Sequence, residues 1–306
     1  MNPGQTAGAG RPASGILLIV AGMIFFAALD TTTKYVTASV PLLMALWVRY
    51  AFQAVSTTLL VLPTRGMSVF KTAHPKFQVL RGLLIMTSSL LAFLSLRYLP
   101  VGEFTAIQMI TPLIITLLAS TTLGEKVSPL RWALVGGGFL GTLIIIRPGG
   151  ENFTWAMLFP LGLVACNSWF QVLTSKMTRT EDPVTMHLYT GWVGTLVVTL
   201  ALPFVWSSQV SWQLWGLLML MGLFATIGHF LIILAYQGAP AASLTPYLYT
   251  QIAFAMLGGW LVFSHIPDKW SIAGMVLIAV CGTGGAWLAF RESRSARQIE
   301  VHPVEA

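Results

Sequence analysis

The chain has 306 residues, of which 56% are hydrophobic and only 9% are charged. Soluble domains carry about 25% charged residues, so the composition excludes an ordinary water-soluble domain and indicates a protein whose surface faces lipid. The net charge of +7 does not indicate a nucleic-acid partner, because the basic residues lie in short segments between apolar runs, as the cytoplasmic loops of membrane proteins require.

Residues 1–14 are polar, and the apolar run that begins at Gly15 has no convincing signal-peptide cleavage site. We therefore interpret 15–37 as the first of ten membrane spans, each close to the roughly 20 apolar residues that cross a bilayer. The sequence predicts an all-α membrane protein with ten transmembrane helices. The predicted spans are 15–37, 41–62, 77–98, 101–123, 130–147, 154–176, 184–206, 212–236, 241–263 and 270–290.

The distribution of basic residues predicts the orientation of these spans. If both chain ends are cytoplasmic, twelve basic residues, Arg81 among them, lie on the cytoplasmic side, four lie outside, and Arg49 remains inside a span. Lysine and arginine accumulate in cytoplasmic loops, and the reversed orientation would invert this ratio. We expect a multi-pass protein of a bacterial inner membrane, with residues 1–14 and the tail 291–306 in the cytoplasm.

An internal repeat organises the spans. PVGEFTAIQMITPLIITLLASTTL (100–123) matches PAASLTPYLYTQIAFAMLGGWLVF (240–263) at an offset of 140, and four weaker matches follow the same order. This predicts two five-helix repeats, 15–147 and 154–290. Because five is odd, the second repeat enters the membrane from the opposite side, an arrangement typical of secondary transporters. The alternative is that apolar helices resemble one another by chance.

Four stretches also match a known family: GMIFFAALDTTTKYV (22–36), PLLMALWVRYAF (41–52), LPVGEFTAIQMITPLIITLLASTTLGEKVSPLRWALVGGGFLGTLII (99–145) and, more weakly, AYQGAPAASLTPYLYTQIAFAMLGGWLVF (235–263). Over nearly its whole length the chain resembles the EamA-type transporters of the drug/metabolite transporter superfamily. Arg49-Tyr50 is similar to the family's recurrent Arg-Phe pair. The resemblance implies a ten-helix carrier, and a narrower likeness to bacterial exporters favours amino acids, including aromatic ones. The second repeat departs from the pattern, since Gly191 stands opposite Arg49.

Arg49 lies about 12 Å along its span at 1.5 Å per residue, too deep to reach the membrane surface easily. Charges at such depth usually face a bundle interior and have a partner. We predict Asp30 as the partner, at comparable depth in the first span, with Glu103 second. Arg49 then either ties two spans together as a structural or gating charge or binds a carboxylate of the substrate.

Polar residues form rows at helical spacing in three spans. Such rows either line a substrate cavity or hold neighbouring helices together, and both readings stay open. Trp169, in the middle of its span, would suit an aromatic wall for the substrate. The predicted substrate-binding residues are Gln108, Thr111, Asn167, Trp169, Gln171, Tyr247, Thr250 and Gln251.

His229 lies deep in the eighth span, where it either takes part in proton coupling, as Asp30 also could, or remains a neutral hydrogen-bonding residue. Both cysteines lie inside apolar runs, so no disulfide, metal or cofactor is expected. The glycine runs at 135–141 and 281–286 lack the lysine of a nucleotide loop and predict close packing of the fifth and tenth spans.

No catalytic constellation is recognised, and the chain is not predicted to be an enzyme. The favoured function is export of amino acids by alternating access, with the lipid bilayer as surroundings and a monomer as the working unit. Efflux of drugs or other metabolites is the alternative among carriers. A channel and a lipid-modifying membrane enzyme are the alternatives from other classes, and the enzyme would need clustered ionisable residues at one membrane face.

Overall fold

The computed structural model describes residues 12–115, 118, 128–147, 154–177, 180–238 and 247–301. Within these ranges the chain is helical and forms no strand. Its longer helices are α1 (Pro12–Thr37), α2 (Leu42–Arg65), α3 (Pro75–Tyr98), α4 (Val101–Gln108), α5 (Pro129–Ile146), α6 (Phe159–Met177), α7 (Pro183–Thr199), α8 (Trp212–Gly238), α9 (Thr250–Phe263) and α10 (Lys269–Val301).

The helix ends follow local chemistry. Proline occupies the first turn of α3 and of α7, where its missing N–H costs no hydrogen bond. Asp182 caps α7, since its side chain accepts the backbone N–H of Thr185 at 3.0 Å. At the end of α2, Gly66 has φ of 59°, a left-handed conformation that glycine adopts at no steric cost.

Three predicted spans differ from the observed helices. The seventh, 184–206, is not one helix, because α7 ends at Thr199 and a turn separates it from the short helix Leu202–Val205. The fourth does not run unbroken through 101–123: α4 ends at Gln108, the chain turns at 109–110, and a helical segment resumes at 111–115. Pro112 explains the break, because proline clashes with the carbonyl group four residues earlier. The predicted tail from 291 begins inside α10, which continues to Val301. The first part of the predicted ninth span lies outside the described residues.

The packing of the helices follows a two-fold pattern. Exchanging each helix for the one five positions along the chain converts the α1–α8 contact into α6–α3, the α2–α8 contact into α7–α3, and the α1–α9 contact into α6–α4; all six contacts occur. The pairs α2–α7, α4–α9 and α5–α10 are their own counterparts, and these also pack together. This is the pairing that two related five-helix halves would make.

Glycines permit the closest of these crossings. A Cβ at Gly141 of α5 would lie 2.9 Å from the carbonyl oxygen of Gly274 on α10, and one at Gly191 of α7 would lie 2.9 Å from the Ala54 backbone of α2. Cβ atoms do not approach other atoms so closely. The predicted close packing of the fifth and tenth helices is confirmed, and its cause is the close backbone approach that small residues allow in membranes.

Five helical segments are long and apolar enough to cross a membrane: Gly15–Thr37, Leu42–Phe70, Pro75–Tyr98, Trp155–Thr174 and Trp212–Ile232. Shorter apolar segments occur in α4, α5, α9 and α10. Large apolar side chains are exposed on the outside of the bundle, for example Leu60 at 75% and Phe204 at 87%. An exposed apolar surface of this extent requires a lipid environment.

Two of the four glycines of α5, Gly136 and Gly141, provide a matched test of this packing. Gly141→Ala should lower the free energy of unfolding by about 1–3 kcal/mol, because the added methyl group overpacks the contact with α10. Gly136→Ala, in the same helix, meets no described atom within 4 Å and should be neutral or slightly stabilising. Thermal unfolding of the purified variants in detergent measures both. Equal effects of the two substitutions would contradict the assigned crossing.

Candidate substrate site

Arg49 is buried between α2 and α3, with 2% of its surface exposed. Its Nη2 donates a hydrogen bond of 2.6 Å to Ser89 Oγ, and its guanidinium carbon lies 4.1 Å from the centre of the Tyr50 ring. The Tyr50 hydroxyl donates to the Ile85 carbonyl oxygen at 3.1 Å, which fixes the ring. The guanidinium is therefore stabilised by a neutral hydroxyl and a π face, and its Nε has no hydrogen-bond partner among the described residues.

Asp30 of α1 is buried where this helix contacts α4 and α9, and is 8% exposed. Gln251 Nε2 of α9 donates a hydrogen bond of 3.1 Å to Asp30 Oδ2. The Thr105 hydroxyl of α4 faces the same carboxylate without forming a regular hydrogen bond. The carboxylate thus joins three helices through neutral groups.

The predicted ion pair between Asp30 and Arg49 is wrong for this conformation, and so is the alternative pair with Glu103. Among the described residues Arg49 has no carboxylate within ion-pair distance, although its charge acts on Asp30 across the bundle. The reason is local: Ser89 and Gln251 take the hydrogen-bonding positions of the two charged groups. Two buried charges of opposite sign therefore face the interior without meeting each other.

A second buried polar group was missed by the sequence analysis. Arg81 was counted with the basic residues of a cytoplasmic segment, but it is 2% exposed. Its Nη2 donates to the Met186 carbonyl oxygen and, at 2.8 Å, to Thr190 Oγ1 on α7. Its guanidinium carbon lies 5.4 Å from the Phe170 ring centre on α6. The position of Arg81 near a helix start gave no sign that α7 would cover it.

His187 and Gln53 adjoin Arg81 at the crossing of α2 with α7. Gln53 Nε2 lies 3.4 Å from His187 Nδ1 and donates to the His187 carbonyl oxygen at 3.3 Å. Both residues are nearly inaccessible. A sequence signal was present, because the histidine and the Thr190 that follows fall on one face of α7, as do the glycines at the crossing.

The other predicted lining residues differ in their burial and in their hydrogen bonds. Thr111 is buried with a hydroxyl that has no described partner, and Thr250 bonds to the Tyr247 carbonyl oxygen at 2.6 Å within its own helix turn. Trp169 is 53% exposed. It shares its stripe of α6 with the exposed Ala165 and Lys176, so it lies apart from the buried polar groups. The half-buried residues are Gln108, Asn167, Gln171, Tyr247 and Thr250.

His229 lies on α8 beside the same interior. Its ring packs edge-on against Phe26, with 4.9 Å between the ring centres. Arg49, His187 and Arg81 are all close enough for their charges to act on it. His229 is therefore near both buried arginines, and its part in proton coupling stays a prediction.

Glu181 joins the connection between α2 and α3 to the connection between α6 and α7. We call the end of the bundle where these two connections lie the α2–α3 end. This carboxylate is 7% exposed. It accepts hydrogen bonds from Thr72 Oγ1 at 2.8 Å, Ala73 N at 2.9 Å, His74 N at 3.0 Å and Gln78 Nε2 at 3.4 Å. These donors precede α3 or lie in its first turn. A single side chain from the second half of the chain therefore binds the start of α3 in the first half.

Asp182 adds an exposed ion pair to the same end, with Arg65 Nη1 at 3.0 Å from its Oδ2. Partial burial opposes ionisation, but the Thr185 N–H and the Arg65 guanidinium outweigh it and lower the pKa of the Asp182 carboxyl group. Because a lowered pKa favours the folded state only above the ordinary carboxyl range, this contribution is complete at neutral pH. It is lost only as the pH falls below about 4.

At the opposite end, which we call the α3–α4 end, Lys34 Nζ of α1 donates hydrogen bonds to the Leu96 and Leu99 carbonyl oxygens at 2.9 and 2.7 Å. His265 Nε2 lies 3.1 Å from Glu103 Oε1, and an exposed ion pair links Arg147 Nη1 to Asp268 Oδ2 at 2.7 Å. Two cavities, of about 260 and 280 Å³, flank the His265–Glu103 contact. Neither is lined by Arg49 or Gln251. These two cavities are therefore separate from the buried Arg49 and Gln251 side chains.

Comparisons with known proteins indicate that the chain is a transporter. The model of the EamA-like transporter family matches the chain twice, at residues 13–147 and 154–284. A riboflavin transporter of Rhizobium johnstonii is 29% identical over 274 residues, covering 88% of this chain and 89% of that protein. An S-adenosylmethionine uptake transporter of Rickettsia bellii is 25% identical, covering 86% and 90%.

A pseudopaline exporter of Pseudomonas aeruginosa is 26% identical over 274 residues, covering 87% of this chain and 94% of that protein. A solved crystal structure superposes with a TM-score of 0.64 at 18% identity over 93% of this chain and 99% of the other, which supports the fold alone. The chain belongs to the EamA-like transporter family, as its sequence resemblance implied. It is an integral membrane protein and a transporter of small molecules.

The cap of α7 gives a prediction for the α2–α3 end. Asp182→Ala removes the hydrogen bond to the Thr185 N–H and should lower the free energy of unfolding by about 1 kcal/mol. Asp182→Asn keeps a capping oxygen and loses only the exposed ion pair with Arg65, so its cost should be well below 1 kcal/mol. Thermal unfolding compares the two. A cost for asparagine as large as that for alanine would show that the ion pair, and not the cap, holds this end.

Proposed function

We propose that this chain is a secondary transporter that exports amino acids, aromatic ones included, by alternating access. The observation that carries the proposal is that Asp30 and Arg49 are buried, opposite in charge and not paired with each other. Burying an ion costs several kcal/mol that neutral partners do not fully offset. A zwitterionic amino acid offers one group to each charge, its ammonium to Asp30 and its carboxylate to Arg49.

Aromatic rings beside these polar groups support a cargo with an apolar or planar side chain. The Phe93 ring centre lies 6.0 Å from the Arg49 guanidinium, the Phe26 ring packs on His229, and the Phe230 ring centre lies 6.2 Å from that of His187. Ring faces and edges provide large apolar contacts at low entropy cost. These phenylalanines replace Trp169 in our proposal for the aromatic wall of the site.

Alternating access requires two ends that open in turn. We propose ten transmembrane helices in two inverted halves, 15–147 and 154–290, with both termini in the cytoplasm of a bacterial inner membrane. The two-fold helix pairing and the two matches to the family model support the halves, and the basic residues support the orientation. The α2–α3 end is then the cytoplasmic gate, and the α3–α4 end is the outer gate. A monomer without a cofactor suffices for this cycle.

Transport of a larger planar metabolite is the second candidate, because two of the relatives described above carry riboflavin and S-adenosylmethionine. S-adenosylmethionine contains an amino-acid head that fits the same pair of charges. Riboflavin has no carboxylate or ammonium group, so the pair would then have no counterpart on the cargo. The relatives include both an uptake transporter and an exporter, so the direction of transport by this chain must be tested as well as its cargo.

Counterflow in liposomes distinguishes these candidates. Vesicles that hold the purified protein and unlabelled phenylalanine should accumulate labelled phenylalanine, and outside tyrosine or leucine should compete. Riboflavin and S-adenosylmethionine serve as further competitors, and an imposed proton gradient tests coupling. Counterflow without competition between amino acids, or accumulation of riboflavin alone, would overturn amino-acid transport. Flux that does not saturate would indicate a channel.

Neutral substitutions of the two charges should affect transport more than folding. Arg49→Gln and Asp30→Asn should each raise the concentration for half-maximal counterflow of phenylalanine by about 10- to 100-fold, the value of one charge-assisted hydrogen bond. Arg97→Gln is the matched control, because this arginine is exposed at the end of α3. Wild-type counterflow in a stably folded Arg49→Gln protein would contradict the proposed contact.

A further inference from the structure

The cluster of Gln53, Arg81, His187 and Thr190, at the meeting of α2, α3 and α7, has unused hydrogen-bonding capacity. We name it the α2–α3–α7 cluster. Each of its members is less than a tenth exposed. Buried polar groups are nearly always hydrogen-bonded, so atoms without partners at such a position require an explanation.

The hydrogen bonds around His187 determine which of its ring nitrogens carries the proton. Gln53 Nε2 approaches His187 Nδ1 at 3.4 Å, and an amide nitrogen only donates. Nδ1 is therefore an acceptor, and the proton of the neutral ring lies on Nε2. That N–H has no partner in the described part of the chain. His187 thus presents a buried donor to the interior.

Arg81 presents a second unused donor beside it. Arg81 is fixed by Met186 and Thr190, the residues one position before and three positions after His187, and its Nε has no partner among the described residues. Glu181 compensates part of its charge, but only at a distance, through Gln78. With respect to the described residues, the cluster thus has two unused donors, on Arg81 and His187, and one unused acceptor, Gln53 Oε1. Because the donors outnumber the acceptor and one of them is a guanidinium, the cluster fits a group that accepts hydrogen bonds and carries negative charge.

This cluster is separate from the pair Asp30 and Arg49. On α3, Ser89, which holds Arg49, lies eight residues beyond Arg81, which is about 12 Å along the helix. His229 on α8 is within reach of the charges of both arginines. An extended molecule could reach from Arg49 to the α2–α3–α7 cluster, whereas a small amino acid bound at Arg49 would leave the cluster empty.

We infer that the α2–α3–α7 cluster is a second subsite, which binds a carboxylate at the far end of the cargo through Arg81 and His187. The inference rests on the proposed function for the cargo's other end, where the amino-acid head binds Asp30 and Arg49. The preferred cargo is then an amino acid with a distal carboxylate. A plain apolar amino acid fills only the first subsite.

Two amino acids of similar shape test this subsite on the purified full-length protein. 4-Carboxy-L-phenylalanine carries a distal carboxylate, and 4-isopropyl-L-phenylalanine carries a neutral group of similar size. Thermal stabilisation at increasing ligand concentration gives the apparent affinity of each. The wild-type protein should bind the carboxy compound at least about tenfold more tightly, the value of one charge-assisted hydrogen bond. Equal affinities would mean that water satisfies the donors and would overturn the inference.

His187→Phe keeps a ring of similar size and removes the donor, so the preference for the carboxy compound should fall to about one while binding of the isopropyl compound persists. Arg81→Lys, which keeps the charge but loses Nε, is the second variant should the first not fold. An undiminished preference in a folded variant would contradict the assignment.

A third probe separates the two proposals. Benzoate has a carboxylate but no amino-acid head. If neither amino acid binds, while benzoate binds to the wild type and to Arg49→Gln but not to His187→Phe, the proposed function fails and the subsite stands. If both amino acids bind with equal affinity, the subsite fails and the proposed function stands.

Discussion

The solvation of Arg49 inside an apolar helix bundle is the constraint on which the rest of the structure depends. A guanidinium cannot be left bare in a low-dielectric interior, and here the Ser89 hydroxyl and the Tyr50 ring take the place of water. That arrangement requires α2 and α3 to pack closely at this level. Among the described residues it also leaves the charge without a carboxylate at ion-pair distance, which is the basis of our proposal that the cargo supplies the counter-charge. In that proposal, structural stability and cargo binding depend on the same side chain.

The two ends of the bundle are held by different chemistry, which suits a carrier that must open each in turn. At the α2–α3 end a single buried carboxylate, Glu181, accepts four hydrogen bonds, two of them from backbone N–H groups. At the α3–α4 end the described contacts are the His265–Glu103 and Arg147–Asp268 pairs and the two hydrogen bonds of Lys34, and cavities flank the first of these. In the proposed cycle the glycine crossings between α2 and α7 and between α5 and α10 would be the close contacts about which the halves move.

Much of the fold was predictable from the sequence, because apolar runs of sufficient length, proline breaks and glycine-rich crossings are local features. The approximate positions of the helices followed from them, whereas the family followed from the resemblance of four stretches. Breaks inside the predicted spans 101–123 and 184–206 lie beside Pro112 and Pro203. The site was less predictable, since burial depends on which helices meet. The depth of Asp30 and Arg49 in their spans identified both residues, but it did not show that they would stay unpaired. Arg81 was counted with the cytoplasmic basic residues and Trp169 was predicted to line the site, because sequence does not show which face of a helix another helix covers.

The most direct test of the central claim removes each charged group from the ligand and from the protein in turn. Apparent affinities are measured for phenylalanine, for phenethylamine, which lacks the carboxylate, and for 3-phenylpropionate, which lacks the ammonium group. We expect Arg49→Gln to weaken binding of phenylalanine and to leave binding of phenethylamine unchanged. Asp30→Asn should leave binding of 3-phenylpropionate unchanged. If Arg49→Gln weakens phenethylamine as much as it weakens phenylalanine, then Arg49 does not bind the carboxylate and the central claim is wrong.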